Sequence, residues 1–389
     1  MDVLVVNAGS SSLKLTVLGQ DDTVLAEHHV ERWDGNALGL DLDLDLPPVD
    51  AVGHRVVHGG ARFTGPVVID ADVRGGIAAL TDLAPLHQPR ALAGIDAARA
   101  LFPDVPHVAC FDTAFHATLS PVASTYPLPE EWRARWDLRR YGFHGLSHAY
   151  ASRRAVELTG LPGARVVTCH LGAGCSLAAV RHGRSIDTTM GFTPLGGLPM
   201  ATRSGDLDPG LLLRLLDHLT PGDLADGLAH RSGLLGLAGH ADLRDVHEAI
   251  AAGSDDAHLA LDVFTHRLCQ GIAAMAASLG GLDVLVFTGG IGEHDPVVRA
   301  RAVEGLAFLG LRLDPTHNAA AAHGDTRITS DTSTASASAW VVRAREDVEV
   351  AAGVRRALRA LPESSPDTAP GPAHRGPSSR GAFPRVGGP

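Results

Sequence analysis

Two separated stretches of this chain have the same shape, and any fold must accommodate both. Val3-Leu4-Val5-Val6-Asn7-Ala8-Gly9-Ser10-Ser11-Ser12-Leu13-Lys14-Leu15 runs from a β-branched and leucine segment, through a small hydroxyl-rich turn, into an apolar-alternating segment. Val166-Val167-Thr168-Cys169-His170-Leu171-Gly172-Ala173-Gly174-Cys175-Ser176-Leu177-Ala178-Ala179-Val180 repeats that shape, with His170 in the place of Asn7 and Gly172 in the place of Gly9. Strands flanking a tight turn read as hairpins, and a turn rich in N–H and O–H donors can close around one anion. Neither turn is a Walker A loop, because the Gly-x4-Gly-Lys-Ser/Thr spacing is absent. A serine-rich turn taken alone is also a common solvated turn. Two of them in matching contexts point to duplicated halves that clasp a nucleotide.

The length, 389 residues, is enough for two well-filled domains. With 33 basic against 44 acidic residues, a broad nucleic-acid or anionic-membrane surface is disfavoured, although a local basic pocket is not. Cys110, Cys169, Cys175 and Cys269 are scattered and form no Cys-x-x-Cys pair, which suits buried thiols in a reducing compartment. No secretory pattern precedes Val3, and no apolar run reaches bilayer length. The expectation is a cytoplasmic protein with no membrane or nucleic-acid partner.

Along the chain, Leu40-Asp-Leu-Asp-Leu-Asp-Leu46 alternates strictly and stops at Pro47-Pro48, which fits an acidic edge strand or a loop. Pro89 opens a predicted helix with Leu92, Ile95 and Leu101 on one face. Val105 to Phe111 reads as a strand that delivers Asp112 at its C-terminal end, where ligands gather in open α/β sheets. Tyr141-Gly-Phe-His-Gly-Leu-Ser-His148 opens a helix rich in Ala and Arg, and the boundary between halves is placed in that region. Leu261, Phe264, Leu268, Ile272 and Met275 mark the buried face of a helix over about 256–279. Asp283 to Glu293 reads as a buried strand running into a Gly-Gly-x-Gly turn, where backbone can approach a ligand closely. Glu346-Asp347 precede a last amphipathic helix through Leu361, and residues 363–389 have the composition of a disordered tail.

These residues suit phosphoryl transfer, which needs positioning and cationic or hydrogen-bonding groups more than covalent help from the protein. Arg55, Arg203 and His144 are donors for phosphate or carboxylate. Asp112 and Glu346 are carboxylates suited to Mg²⁺. Each also has a plainer reading: a loop arginine is commonly a surface ion pair, and a histidine beside Gly and Phe is commonly a hydrogen-bonded structural group. No compact zinc spacing and no Gly-x-Ser-x-Gly elbow is present.

The motifs Asn7-Ala-Gly-Ser-Ser-Ser-Leu-Lys14, His54-Arg-Val-Val-His-Gly-Gly60, Ala84-Pro-Leu-His-Gln-Pro89, Phe111-Asp-Thr-Ala-Phe-His116, Tyr141 to His148, Gly191-Phe-Thr-Pro-Leu195 and Phe287-Thr-Gly-Gly-Ile-Gly-Glu293 resemble, in order, those of the acetate kinase family. That family belongs to the acetate and sugar kinase, Hsp70 and actin superfamily. The resemblance implies an α/β fold of two duplicated actin-like, ribonuclease H-like βββαβαβα domains with an interdomain active-site cleft. The domains would be 1–148, completed by a C-terminal helix at about 348–361, and 149–347. A homodimer is implied, as is reversible in-line transfer from ATP to acetate, giving acetyl phosphate and ADP on the route to acetyl-CoA.

By the same resemblance Arg55 and Arg203 bind the carboxylate or the transferring phosphoryl, His144 donates to that phosphoryl, and Asp112 orients the carboxylate or the metal. Val57, Leu86 and Pro194 form the methyl pocket. Asn7, Ser10, Ser12 and Lys14 line the phosphate end, and His170, Gly172 and Gly174 contact the nucleotide phosphates. Asp242, Leu243 and Arg244 flank the adenosine above Gly290, Ile291 and Gly292. Asn7 and Glu346 hold Mg²⁺, for which Mn²⁺ is a possible substitute.

Three positions depart from the family pattern. Ala173 replaces the asparagine of His-Leu-Gly-Asn-Gly, Leu243 replaces a frequent phenylalanine, and Ala344-Arg345-Glu346-Asp347 replaces Thr-Asn-Glu-Glu. The loss of one amide donor at Ala173 predicts weakened nucleotide binding with the chemistry retained. Propionate kinase is the neighbouring alternative, since a methyl pocket discriminates one methylene by only about 1–3 kcal/mol. A nucleotide-switched binding protein and a non-catalytic homologue are the further ones.

Overall fold

The computed structural model describes residues 1–9, 12–31, 33, 46–85, 87–321, 324–330 and 337–360. Six strands, β1 (Val3–Ala8), β2 (Ser12–Leu18), β3 (Val24–Glu31), β4 (Ala51–Val56), β5 (Val67–Val68) and β6 (His107–Phe111), make one sheet in the order β3-β2-β1-β4-β6-β5. Six more, β7 (Val166–Leu171), β8 (Cys175–Arg181), β9 (Arg184–Thr188), β10 (Val284–Thr288), β11 (Thr326–Arg327) and β12 (Ser338–Val341), make a second in the order β11-β12-β10-β7-β8-β9. Read from the meander edge, the two sheets share both order and direction. Each has a three-stranded antiparallel meander, two strands added in parallel, and a short antiparallel edge strand. The two hairpins are therefore equivalent parts of a duplicated α/β fold.

Asn7 pairs with Lys14 and His170 with Ser176, so the two polar residues matched by sequence occupy the same register position. Short backbone bonds close the turns, with Gly9 N donating to Ser12 O at 2.8 Å and Gly172 N to Gly174 O at 3.0 Å.

The near-continuous apolar runs of the central strands follow from burial on both faces. Val3 and Val5 point to one side of β1 and cluster with Val350 and Val354 of the Glu346–Arg359 helix. Leu4 and Val6 point to the other side, against Ala97 and Ala98 of the Gln88–Leu101 helix. The second sheet repeats this. Its Cys169 and Leu177 face belongs to the cluster of Leu261, Phe264 and Leu268 on the Asp255–Leu279 helix, and Val166 and Ala178 pack with Ala151 and Ala155 of the Gly145–Thr159 helix. The last helix thus returns from the second sheet to cover the first.

Four expectations change. The buried face of the Gln88–Leu101 helix is made of Gln88, Ala91, Gly94, Ile95, Ala97 and Ala98. Leu101, in its last turn, is 44% exposed, because small residues, with Gly94 against Val6 and Ala8, let the helix lie close to the sheet. Gly289 to His294 is a short helix rather than an open turn. Its first residue has φ +79°, and a Cβ there would lie 2.8 Å from Leu171 O, so only glycine fits. Glu346 and Asp347 lie inside the first turn of the last helix, which ends at Arg359, and there carboxylates oppose the positive end of the helix dipole.

The acidic run at 40–45 and the tail at 363–389 lie outside the described residues. All four cysteines are free thiols; Cys110, Cys169 and Cys175 are buried and Cys269 is partly so. Among the described residues no helix is long and apolar enough to cross a membrane.

Candidate active site

The end of β6 puts Asp112 beside the end of β4, where Asp112 N donates to Val56 O at 2.9 Å and continues the parallel pairing by one residue. Its side chain is 1% exposed. Arg55, on β4, spans it with Nε donating to Oδ1 at 3.1 Å and Nη2 to Oδ2 at 2.7 Å. The same guanidinium gives Nη1 to Asn7 Oδ1 at 3.2 Å and lies 3.5 Å from Glu346 Oε2. β1, the end of β6 and the last helix therefore each deliver one residue to the single cation on β4. Burial works against the Arg55 charge, but Asp112 and Glu346 outweigh it and raise the guanidinium further above its ordinary range. Burial also pushes the Asp112 carboxyl up; Arg55 opposes this and the nearby Glu346 adds to it.

The second sheet supplies the facing wall. His144 caps the Gly145–Thr159 helix with φ +55°, a left-handed position for a non-glycine residue. At Gly174, between β7 and β8, a Cβ would stand 3.2 Å from His144 Cε1, 3.3 Å from its Nε2 and 3.7 Å from Arg203 Nη1. His144, Gly174 and Arg203 therefore meet. Arg203 Nη1 donates to Pro194 O at 3.3 Å, which sets the expected methyl-pocket residue against the guanidinium. Burial pulls the Arg203 guanidinium below its ordinary range. His170 stacks on His144 with ring centres 4.3 Å apart, and its Nδ1 lies 2.8 Å from Ser147 Oγ. Burial, then His170 and Arg55, hold the His144 imidazole well below its ordinary pKa, with His148 and Arg203 contributing. Arg55 on β4 and Arg203 in the loop after β9 thus act on the same ring.

Gly172, Ala173, Asp242, Leu243, Arg244, Gly290 and Ile291 line one cavity of about 550 Å³. Asp242 caps the Leu243–Ala251 helix by accepting from Arg244 N at 2.8 Å, and it pairs with the Arg244 side chain at 2.6 Å. These Arg244 contacts hold its carboxyl down to about 2. Leu243 is 4% exposed and belongs to the hydrophobic core as well as to the cavity wall.

Other expected residues are less directly placed. Lys14 is beside Asn7 in register, but its Nζ lies 3.3 Å from Glu27 Oε2. Ser12 begins β2. Val57 is buried with Phe143 and Met190. Gly292 is buried within its short helix rather than lining the cavity, and its carbonyl accepts from Arg299. Ser10 and Leu86 lie outside the described residues.

Several participants had no separate sequence signal. Arg299, 1% exposed, donates to Gly292 O, Glu293 O, Asn318 O and Asn318 Oδ1, and so ties down the carbonyl end of the short helix under the cavity. His247 and Asp295, 2.8 Å apart, form a polar pair in the cavity wall. His87, inside the quoted Ala84–Pro89 motif, is held down to about 4 by burial and then by Arg203 and Arg55, which places it in the same field. Only that motif could have pointed to it.

The model of the acetokinase family matches residues 40–352. The chain is 48% identical to an acetate kinase of Clavibacter michiganensis subsp. michiganensis over 81% of this chain and 89% of that one. It superposes on the crystal structure of Porphyromonas gingivalis acetate kinase with a TM-score of 0.85 at 34% identity, covering 92% of this chain and 99% of that one. A propionate kinase from Francisella tularensis matches with a TM-score of 0.83 at 36% identity, over 90% of this chain and 98% of that one.

Proposed function

The chain belongs to the acetokinase family, and on that premise we propose that it is an acetate kinase. A carboxylate oxygen of acetate attacks the γ-phosphorus of ATP in line while the bond to the β–γ bridging oxygen breaks, giving acetyl phosphate and ADP. The observation that carries this reading is the arrangement of Arg55 and Asp112, at the ends of β4 and β6, with His144 at a helix start, Gly174 in the β7–β8 turn and Arg203 in the loop after β9. Cations and donors on both sides of a cleft match a transferring group whose equatorial oxygens stay negative.

In this reading Arg55 and Arg203 bind the carboxylate and the phosphoryl oxygens, His144 donates to the phosphoryl, and Asp112 orients Arg55 and the attacking carboxylate. Val57, Leu86 and Pro194 surround the methyl group. Asn7, Ser10, Ser12 and Lys14 serve the phosphoryl end, with His170, Gly172 and Gly174 on the nucleotide phosphates. Asp242, Leu243, Arg244, Gly290 and Ile291 form the adenosine subsite, with Gly292 buried behind them in the short helix.

Mg²⁺ fits the residues present. Asn7 Oδ1, the Asp112 carboxylate and Glu346 converge on Arg55, an oxygen donor set of the kind this ion takes while keeping waters and phosphate ligands. Among the described residues no three or more His, Cys, Asp or Glu side chains gather to hold a metal, so Asn7 and Glu346 are proposed to share the ion with the nucleotide. When bound, it neutralises charge on the phosphates.

The reading also divides the chain at about residue 148 and places it in the cytoplasm as a homodimer. The Pro209–Leu216 helix supports the dimer, because no residue of it is buried while Leu211, Leu213 and Leu216 stand exposed.

Hydroxylamine trapping with ATP, Mg²⁺ and acetate, propionate or butyrate tests the proposal. Acetyl hydroxamate as the main product supports it, and a propionate preference moves the assignment to the neighbouring activity, that of the similar Francisella propionate kinase. No hydroxamate with any acid overturns it.

A further inference from the structure

We propose that Thr168, His148 and Ser176 form a buried hydrogen-bond chain that fixes His144 as the tautomer protonated on Nε2. The inference deepens the reading of His144 as the phosphoryl donor and rests on it for its functional consequence. All three residues are positioning groups behind the cleft wall. Thr168 and Ser176 are fully buried on β7 and β8. His148, also fully buried, follows His144 by one helical turn and shares its face.

The chain is continuous. Thr168 Oγ1 lies 2.7 Å from His148 Nδ1, His148 Nε2 lies 2.7 Å from Ser176 Oγ, and Ser176 Oγ lies 2.9 Å from His144 Nδ1. Its direction is set at the threonine, which has one proton and two acceptors within reach. Ala178 O is 3.4 Å away, beyond the usual 2.5–3.0 Å of an O–H···O bond, whereas His148 Nδ1 is at 2.7 Å. Thr168 therefore donates to His148 Nδ1. His148 then carries its hydrogen on Nε2 and donates it to Ser176 Oγ. Ser176 passes its own hydrogen to His144 Nδ1, which leaves the His144 hydrogen on Nε2.

That nitrogen is on the Gly174 side, 3.3 Å from where a Cβ of residue 174 would stand. With the opposite direction of donation, Nε2 would present a lone pair to phosphoryl oxygens and repel them. Burial, His170 and Arg55 keep the ring neutral, so the tautomer decides whether Nε2 donates. The logic is that of any histidine whose remote nitrogen is fixed by a partner.

The test combines ¹⁵N spectra of the histidine-labelled full chain, with His144 assigned by loss of its signals in His144→Gln, and hydroxamate kinetics. The ring nitrogens should report His144 protonated on Nε2. Thr168→Val, nearly isosteric and two residues removed from His144 along the hydrogen bonds, should shift the proton toward Nδ1. It should lower kcat about tenfold with both KM values unchanged. Thr168→Ser should restore the tautomer and the rate. If Thr168→Val does not fold, Ser176→Ala reads the last link in the same way, with the same loss of Nε2 protonation expected. His144 protonated on Nδ1 in the unsubstituted protein, or still on Nε2 in these variants, overturns the chain. Absence of any acyl phosphate product would instead sink the kinase reading, and the ring assignment would still be read from the spectra.

Discussion

Arg55 and Asp112 meet in a two-point contact, Nε to Oδ1 at 3.1 Å and Nη2 to Oδ2 at 2.7 Å, with the carboxylate almost fully buried. Removing one partner leaves the other charge buried and unpaired, a loss of about 3–5 kcal/mol. Asp112→Asn should lower the unfolding free energy by that order in urea titrations and cut kcat by about a hundredfold or more. Arg55→Met with Asp112→Leu should recover much of the stability while remaining inactive. A double variant that loses as much as Arg55→Met and Asp112→Leu lose separately, added together, would show that the pair is not coupled.

Ala173 lines the cavity proposed for the nucleotide, and its carbonyl accepts from Ala201 N at 3.3 Å. Its methyl side chain offers phosphate no donor. Ala173→Asn supplies an amide at that point, so the KM for ATP should fall about five- to tenfold while the KM for acetate stays constant. An unchanged ATP KM would show that nothing is missing from this loop.

His54 and His107 form a buried neutral pair. His107 Nε2 is 3.0 Å from Phe102 O and must donate to it, which leaves Nδ1 to accept from His54 Nε2 at 2.9 Å. Burial, then the charge that His107 would carry, holds His54 down to about 3 from an ordinary 6.5. The unfolded chain thus binds a proton that the native pair refuses. The contribution is fully present above about pH 6.5 and is lost as pH falls toward 3. At pH 5 this one group removes about 2 kcal/mol relative to pH 7.5. His54→Gln should shrink the difference between urea titrations at those two pH values by that amount.

Arg299 supports the short helix beside the cavity proposed for the nucleotide. Its Nη1 donates to Gly292 O at 3.0 Å and Glu293 O at 2.8 Å, and its remaining donors engage Asn318. Arg299→Met strips these buried acceptors of their partner and should cost about 3 kcal/mol or more. Because the freed carbonyls belong to the helix that carries Gly290 and Ile291, the KM for ATP should rise several-fold while that for acetate holds. A stability loss without the ATP effect would make Arg299 purely structural.

The residues legible in the sequence are those whose local pattern and chemical role coincide. Asn7 and His170 could be matched because strand, polar residue and glycine turn recur in order, and the two sheets place them at the same register position. Asp112 could be found because a buried strand ends on it. Arg299 could not, since an arginine inside a helix reads as solvated until tertiary contacts surround it. Thr168 and Ser176 looked like ordinary strand residues, because their partner His148 comes from a helix across the sheet. For Lys14 the place beside Asn7 was readable, whereas the pairing with Glu27 at 3.3 Å was not, because the direction of a long side chain depends on neighbours brought in by the fold.

Gly145 ties the start of the His144 helix to the carboxylate strand. Its N donates to Asp112 O at 2.9 Å, and a Cβ would stand 2.1 Å from that same oxygen and 2.8 Å from Phe115 Cβ. Neither neighbour is a flexible tip, so the helix start and the Asp112 backbone would have to separate. Gly145→Ala, elsewhere a mild helix-favouring change of under about 1 kcal/mol, should here lower the melting temperature by about 5 °C or more and kcat by more than about tenfold. Both losses come from one displacement, because His144 precedes this residue and Asp112 faces it. Wild-type kinetics in Gly145→Ala would mean that the two walls of the cleft are not held in register by this contact.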